Sequence, residues 1–532
     1  MPKPKRSGPI RPQSSDPKWP PRIILNTDGC LVFKYLKRRN PDDVTEMLVE
    51  LAKANVDAVS VLVGINDDLS WRGSPHAELY GDNMGDDIKN LIPGKDSDRT
   101  SIAGMNITHG DLLQMNLAAM VDDGHDVLQL YIDRARQVGL KIYVSFRMNV
   151  GNCNNDHRSA RRSAMKVSRP DLLIGSPAPL TEERANIWKF CWQWDYAQPE
   201  VRERFLGLFE ETLTRYDFDG LELDFCRSPL FFKPGQAHKH VSTMTDFMRN
   251  THSIVRNHSS KKDKNIKLIC RVPPSIDASM EVGMDTETWI REGLMDIAVI
   301  SSPGSSQPEM DVSRAVAAAQ NNGVLIYAGY DTATYKVSPQ DGYELNPPTV
   351  PRAIALNAYK QGARGIHLFN YDYSSHRPQP IPEQDTSDMP IVEYPPVYRS
   401  WTGITETEQS PNNQFDTDRF TRKDLQALRD LSNPRELERL NRCYYLNGNS
   451  YSGEYTPQVP RNLAIIGRGA GPGHAMRLTV EDDIPAGLAD GRIKKTELRL
   501  RLTDHEKSMN RIRCEVNGKL VDLSSAWKIN NS

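Results

Sequence analysis

The stretch Tyr216-Asp217-Phe218-Asp219-Gly220-Leu221-Glu222-Leu223-Asp224-Phe225-Cys226-Arg227 ends an amphipathic helical pattern, turns at a glycine and enters a strand that carries a carboxylate to its far end. Period-two alternation places Leu221, Leu223 and Phe225 on one face and Glu222, Asp224 and Cys226 on the other. Two acids on the same face of an apolar strand are costly to bury unpaired, so the pair implies an ion-pair network or a site of chemistry. Glu222, the deeper of the two, suits a structural salt bridge. Asp224, nearer the strand's C-terminal end, suits function.

Outward from this strand, apolar runs alternate with helical patterns from residue 21 to about residue 373, the rhythm of parallel βα units. The runs predict strands over 22–27, 58–64, 141–147, 220–227, 266–272, 296–301, 324–329 and 365–370. Eight is the number that closes a (β/α)8, or TIM, barrel, so the expected fold class is α/β. Helices are predicted over 44–54, led by Asp42-Asp43, over 200–215, opened by Pro199, and over 241–257, 311–321 and 350–361. In the second of these, Val201, Phe205, Leu206, Phe209 and Leu213 form the apolar stripe. Two connections, from Ile65 to about Asp123 and from Met148 to about Gln198, far exceed an ordinary βα loop. Both follow strands, which puts them on the face where a barrel carries its active site.

The predicted organisation is a disordered basic, proline-rich leader over residues 1–20, the barrel over 21–377, a linker with a short helix over 378–450, and a β-rich domain over 451–532. That last segment, with its Asn517-Gly518 hairpin signal, reads as a small antiparallel sandwich. The chain has 532 residues, 38% hydrophobic and 26% charged, with formal net charge −2. This balance gives no electrostatic reason to expect nucleic acid or a membrane surface as partner. No run is long and apolar enough to span a bilayer, and no apolar signal core follows the basic start, so the expectation is a cytoplasmic protein, or an exported one if the start codon is misassigned. The seven cysteines are scattered without zinc-ligand spacing, and neither metal nor cofactor is required.

The ends of the predicted strands collect a polar set: Asn26 and Asp28, Arg147 and Asn149, Asp224 and Arg227, Arg271, Ser301 and Ser302, Tyr330 and Asp331, and Asn370, Tyr371 and Asp372. Carboxylates, arginines and amides with nearby aromatics suit an oxygen-rich substrate such as a carbohydrate, whose hydroxyls need donors and acceptors and whose C–H faces stack on rings. Trp71, Trp192 and Trp194, in the two long connections, are the expected stacking residues. Asp224 is the first catalytic carboxylate and Asp331 the best candidate for the second, with Asp28, Asp372 and Glu309 as rivals. Arg147, Arg227 and Arg271 would hold acids ionised or bind an anionic sugar group; alternatively, Arg147 or Arg271 pairs with Glu222 inside the barrel. The basic run His157 to Arg162, with Lys166 and Arg169, hints at an acidic polysaccharide.

The segment Trp194-Asp195-Tyr196-Ala197-Gln198-Pro199-Glu200-Val201-Arg202, followed by Tyr216 to Phe225, resembles the family-10-like group of glycosyl-hydrolase-like barrels, whose pattern reads NPEVR and then YDVDGIHFDY. The resemblance follows the strand order from Arg22 to Asp372 and is specific around the third helix and fourth strand. It implies a TIM barrel that hydrolyses glycosidic bonds, with Asp224 in the place of the family's strand-four aspartate. Chitinase-type barrels fit less well: their proton-donating glutamate falls at Cys226 and their first inner aspartate at Glu222. The alternatives to a hydrolase are a catalytically silent glycan-binding barrel and a lyase acting on an anionic polysaccharide, with Tyr330 or Tyr371 as base.

Overall fold

In the computed structural model the described residues are 19–27, 41–63, 68–79, 101–102, 105–106, 117–149, 163–175, 193–233, 235–302, 310–331, 349–369, 371, 422–444, 480–496, 514–516 and 519–521. The leader over 1–18 lies outside them.

Eight parallel strands close into a barrel: β1 (Ile23–Thr27), β2 (Ala58–Leu62), β3 (Lys141–Arg147), β4 (Gly220–Asp224), β5 (Lys267–Val272), β6 (Ile297–Ser301), β7 (Leu325–Asp331) and β8 (Gly365–Phe369), with β8 pairing back onto β1. Each lies within a few residues of its predicted span. The alternation read in the sequence sorts the side chains into two apolar clusters. The outer one contains Leu25, Val59, Val144, Leu221, Leu223, Leu268, Ile300, Ile326 and Leu368, packed under the helices. The inner one, Ile24, Ala58, Tyr143, Ile269, Ile297, Val299 and Tyr327, fills the lower barrel, with Trp19 packed against it. Gly220 and Gly365 sit beside the two large inner rings. A Cβ on Gly220 would come within 2.8 Å of Tyr143 and 2.9 Å of Ile269, and one on Gly365 would collide with Tyr327. Tyrosines can therefore plug the barrel only where their strand neighbours have no side chain.

The helices named here are α1 (Pro41–Lys53), α2 (Val127–Val138), α3 (Pro199–Arg215), α4 (Val241–Lys261), α5 (Thr286–Arg291), α6 (Ser313–Ala318), α7 (Thr349–Lys360) and α8 (Arg422–Leu431). Asp126 caps α2, accepting from the Gln129 N–H at 3.1 Å, and Gly139 ends it in the left-handed region at φ 72°. Helix α3 starts at Pro199 as expected and buries Val201, Phe205, Leu208, Phe209 and Leu213; Leu206 is only partly buried. Burying each such side chain is worth about 1.5–3 kcal/mol.

The short helix expected within 378–450 is α8. Leu428 and Leu431 of α8 are fully buried in the outer cluster, and α8 packs on α7 and α1, the seventh and first barrel helices. It is the eighth helix of the barrel, reached by a long connection. Residues 483–532 form a second compact unit. Its described parts are a short helix, Ile484–Ala489, and one antiparallel pair, β9 (Cys514–Val516) with β10 (Lys519–Val521), flanking the predicted Asn517-Gly518 turn. Among the described residues this pair is all that appears of the expected sandwich. No helix among them is long and apolar enough to cross a membrane.

Candidate active site

Arg147, Asp224 and Arg271 stand level on neighbouring strands, Arg147 beside Asp224 and Asp224 beside Arg271, at the C-terminal ends of β3, β4 and β5. All three are buried, Asp224 with 1% of its surface exposed. The carboxylate of Asp224 is surrounded by donors. Nη1 of Arg271 reaches Oδ1 at 3.1 Å and Oδ2 at 3.2 Å, and the backbone N–H groups of Cys226 and Arg227 donate to Oδ1 at 2.9 and 3.1 Å. Oδ1 thus has three donors and Oδ2 one. Arg271 is itself held at three points: Nε donates to Ser301 Oγ at 3.0 Å, Nη2 to the Ser302 carbonyl at 3.3 Å, and its Cζ lies 3.9 Å from the centroid of the Phe369 ring. Arg147 approaches the same ring at 5.8 Å.

One layer below, Glu222 is wholly buried and fully engaged. His367 Nε2 lies 2.9 Å from Oε2, the Ser145 hydroxyl donates to Oε1 at 2.8 Å, and Asn26 Nδ2 donates to Oε1 and, at 3.2 Å, to Ser145 Oγ. Burial pulls the Glu222 carboxyl up. The His367 ring beside it, with the hydrogen bond from Ser145, outweighs that, and the group titrates below the ordinary range. Of the alternatives for Arg271, it meets Asp224 and not Glu222, and Glu222 is met by a histidine from β8.

Several other expected site residues do structural work. Asn26 belongs to the Glu222 network, below the mouth. The side-chain amide of Asn149 is used up by backbone: it donates to the carbonyls of Trp194 (2.9 Å) and Leu230 (2.8 Å) and accepts from the Trp194 N–H (3.0 Å). Tyr330 packs in the outer cluster, because Tyr327 and Gly329 take the inward parity on β7. Trp71 and Trp194 are core residues, 2% and 1% exposed. Trp71 Nε1 donates to Glu211 at 2.9 Å, and the Trp194 ring is approached at 5.1 Å by Lys166 Nζ and by Arg204 Cζ. Neither ring offers a sugar an open face. Arg169, counted in the basic run, is bonded to Asp171 and Glu200 at 2.8 Å each, and Lys166 is buried. The charge that hinted at an acidic polysaccharide is paired with acids at Arg169 and lies over the Trp194 ring at Lys166. Asp331 ends β7 opposite Phe369, and its side chain lies outside the described residues, as do Asp28, Asn370, Asp372, Trp192, Glu309 and residues 157–162. Arg227 is half-buried.

Ser301 was in the strand-end set, whereas His367 and Ser145 were missed from the sequence. Their signal was parity: each is a polar residue at an inward position of an otherwise apolar strand. Among the described residues no group of three or more His, Cys, Asp or Glu side chains could hold a metal ion.

No family model matches the chain, and no curated protein matches it. Solved structures do. The chain is similar to the PgaB (BpsB) glycoside hydrolase domain from Bordetella bronchiseptica at 10% identity and a TM-score of 0.39, over 66% of this chain and 94% of that one. It is similar to α-L-fucosidase isoenzyme 2 from Paenibacillus thiaminolyticus at 12% identity and a TM-score of 0.35, over 66% of this chain and 45% of that one. It is also similar to an exo-β-N-acetylglucosaminidase from Vibrio harveyi at 14% identity and a TM-score of 0.32, over 65% and 49%. The chain spans less than half the length of the latter two.

Proposed function

We propose that the barrel hydrolyses O-glycosidic bonds of a poly- or oligosaccharide, with Asp224 as one of its catalytic carboxyl groups. The observation that carries this reading is the setting of Asp224: an acid at the C-terminal end of a strand in a closed parallel barrel, whose every neighbour is a donor. A carboxylate held only by N–H donors is fixed in orientation, as a nucleophile or a group that stabilises an oxocarbenium-like transition state must be. Oδ2, with one donor, is the oxygen left for that work. The acid that protonates the leaving group must come from elsewhere, and Asp331 at the end of β7 is the proposed partner. Its distance from Asp224 would set the outcome, about 5–5.5 Å for retention and about 6.5–9.5 Å for inversion.

A second reading, a glycan-binding barrel without turnover, is favoured by one specific observation: the 1% exposure of Asp224. Reducing-end release from a panel of neutral and anionic polysaccharides separates the two. Hydrolysis predicts turnover by the native chain and its loss in Asp224→Asn and Asp331→Asn. Glycan binding with no turnover by the native chain, unchanged in Asp224→Asn, would establish the silent reading. Products absorbing in the ultraviolet would indicate a lyase instead.

A further inference from the structure

Ser301 touches more of the Asp224 setting than its size suggests. It ends β6 with no exposed surface. Its hydroxyl accepts from Arg271 Nε at 3.0 Å, and its carbonyl accepts from the Cys226 thiol at 3.1 Å. One residue therefore holds the guanidinium that reaches both oxygens of Asp224 and also the chain directly after Asp224, whose Cys226 N–H donates to Oδ1. The space for it comes from the next strand. Gly329 of β7 is paired with Ser301, and a Cβ at Gly329 would collide with the Ser301 side chain and lie 3.1 Å from Val299 Cγ1.

We propose that Ser301 is the positioning residue of this site, fixing Arg271 and through it the orientation of the Asp224 carboxylate, and that residue 329 is glycine to leave Ser301 its place. The line runs across four adjacent strands, Gly329 on β7, Ser301 on β6, Arg271 on β5 and Asp224 on β4. A guanidinium has a rigid fork, so the direction of its Nη1 donor is set by where Nε and Nη2 are anchored. Removing the Nε acceptor frees the fork to swing about its remaining contacts. Phe369, 3.9 Å from the guanidinium carbon, covers one face of the group.

The kinetic arm of the test rests on the hydrolase reading; a chemical arm does not. The full chain, as native protein and as Ser301→Ala, Ser301→Thr and Gly329→Ala, is treated with a water-soluble carbodiimide and glycine ethyl ester, and modification of Asp224 is followed by peptide mass spectrometry. Circular dichroism and thermal unfolding check that each variant is folded. Ser301→Ala and Gly329→Ala are expected to label Asp224 several-fold faster than the native chain, and Ser301→Thr, which keeps the hydroxyl, to label at close to the native rate. On any polysaccharide that the native chain cleaves, Ser301→Ala should lower kcat by about tenfold to a hundredfold while KM stays within about twofold. A merely structural serine would give neither the split nor the rescue by threonine. Native labelling of Asp224 in a folded Ser301→Ala overturns the proposal, and should that variant not fold, native labelling in Gly329→Ala does. If the native chain cleaves nothing while Ser301→Ala labels faster, the hydrolase reading fails and the positioning role stands.

Discussion

Nε2 of His367 lies 2.9 Å from Oε2 of Glu222 in the middle of the barrel, with neither side chain exposed. The pair joins β8 to β4 across the interior, between the layer of inner tyrosines and the layer of Asp224 and Arg271. Its two members depend on each other. A buried charge that loses its partner keeps its desolvation penalty and loses the compensation, a change of about 3–5 kcal/mol. His367→Leu and Glu222→Leu should each destabilise the fold by about that amount, and the double variant by clearly less than their sum. Urea unfolding of the four proteins measures the coupling. Additive losses would show that the two residues do not act as a pair.

The same pair sets a pH dependence. Because Glu222 titrates below its ordinary value of 4.5, the unfolded chain binds more protons than the native one in the interval between the folded and unfolded values. Stability from this group is complete above the unfolded value and is lost as pH falls through that interval. Urea midpoints taken between neutral pH and pH 3 should drop more steeply for the native protein than for the Glu222→Leu/His367→Leu double variant. Equal slopes would mean that Glu222 is not what destabilises the fold in acid.

The barrel was legible because its information is local. Leu221 and Leu223 alternate with Glu222 and Asp224 on a single strand, and the same period recurs in the other barrel strands. The partners of the acids were not legible, because parity says which side chains point inward but not which of them meet. Asp224 reaches Arg271 because β4 and β5 are level there, whereas Glu222 is met from β8, by a strand that is not its neighbour. Trp71 and Trp194 failed as markers for a related reason. An aromatic in a long connection can cover substrate or fill the core, and only the packing of Trp71 and Trp194 tells the two apart.

Trp194 gives a prediction that separates those roles. Lys166 and Arg204 each lie over its ring at 5.1 Å, and its backbone N–H and carbonyl are both held by Asn149. Trp194→Ala should therefore cost about 3–5 kcal/mol of stability, as a large core truncation does. Trp194→Phe, which keeps part of the ring volume, should cost less. Thermal and urea unfolding measure both. A Trp194→Ala protein of native stability with weakened glycan affinity would return the residue to a stacking role.

Helix α8 closes the ring of helices, and its contacts make it part of the barrel's folding unit. Arg352 Nε of α7 lies 3.0 Å from Asp430 Oδ2, the Tyr359 hydroxyl donates to the Leu431 carbonyl at 2.9 Å, and Arg429 Nη2 donates to the Lys53 carbonyl of α1 at 3.1 Å. Just beyond α8, Arg22 Nη1 donates to the Ser432 carbonyl at 2.8 Å, which ties the helix to the approach to β1. Leu428 and Leu431, both fully buried, fill the seam between the first and seventh helices. Leu428→Ala and Leu431→Ala should each lower stability by about 2–5 kcal/mol. Asp430→Ala, which strands Arg352, should lower it by a comparable amount. All three should keep a single unfolding transition, because the helix comes apart with the barrel. An early separate transition in these variants, with the main one unmoved, would show that the segment rests on the barrel without completing it.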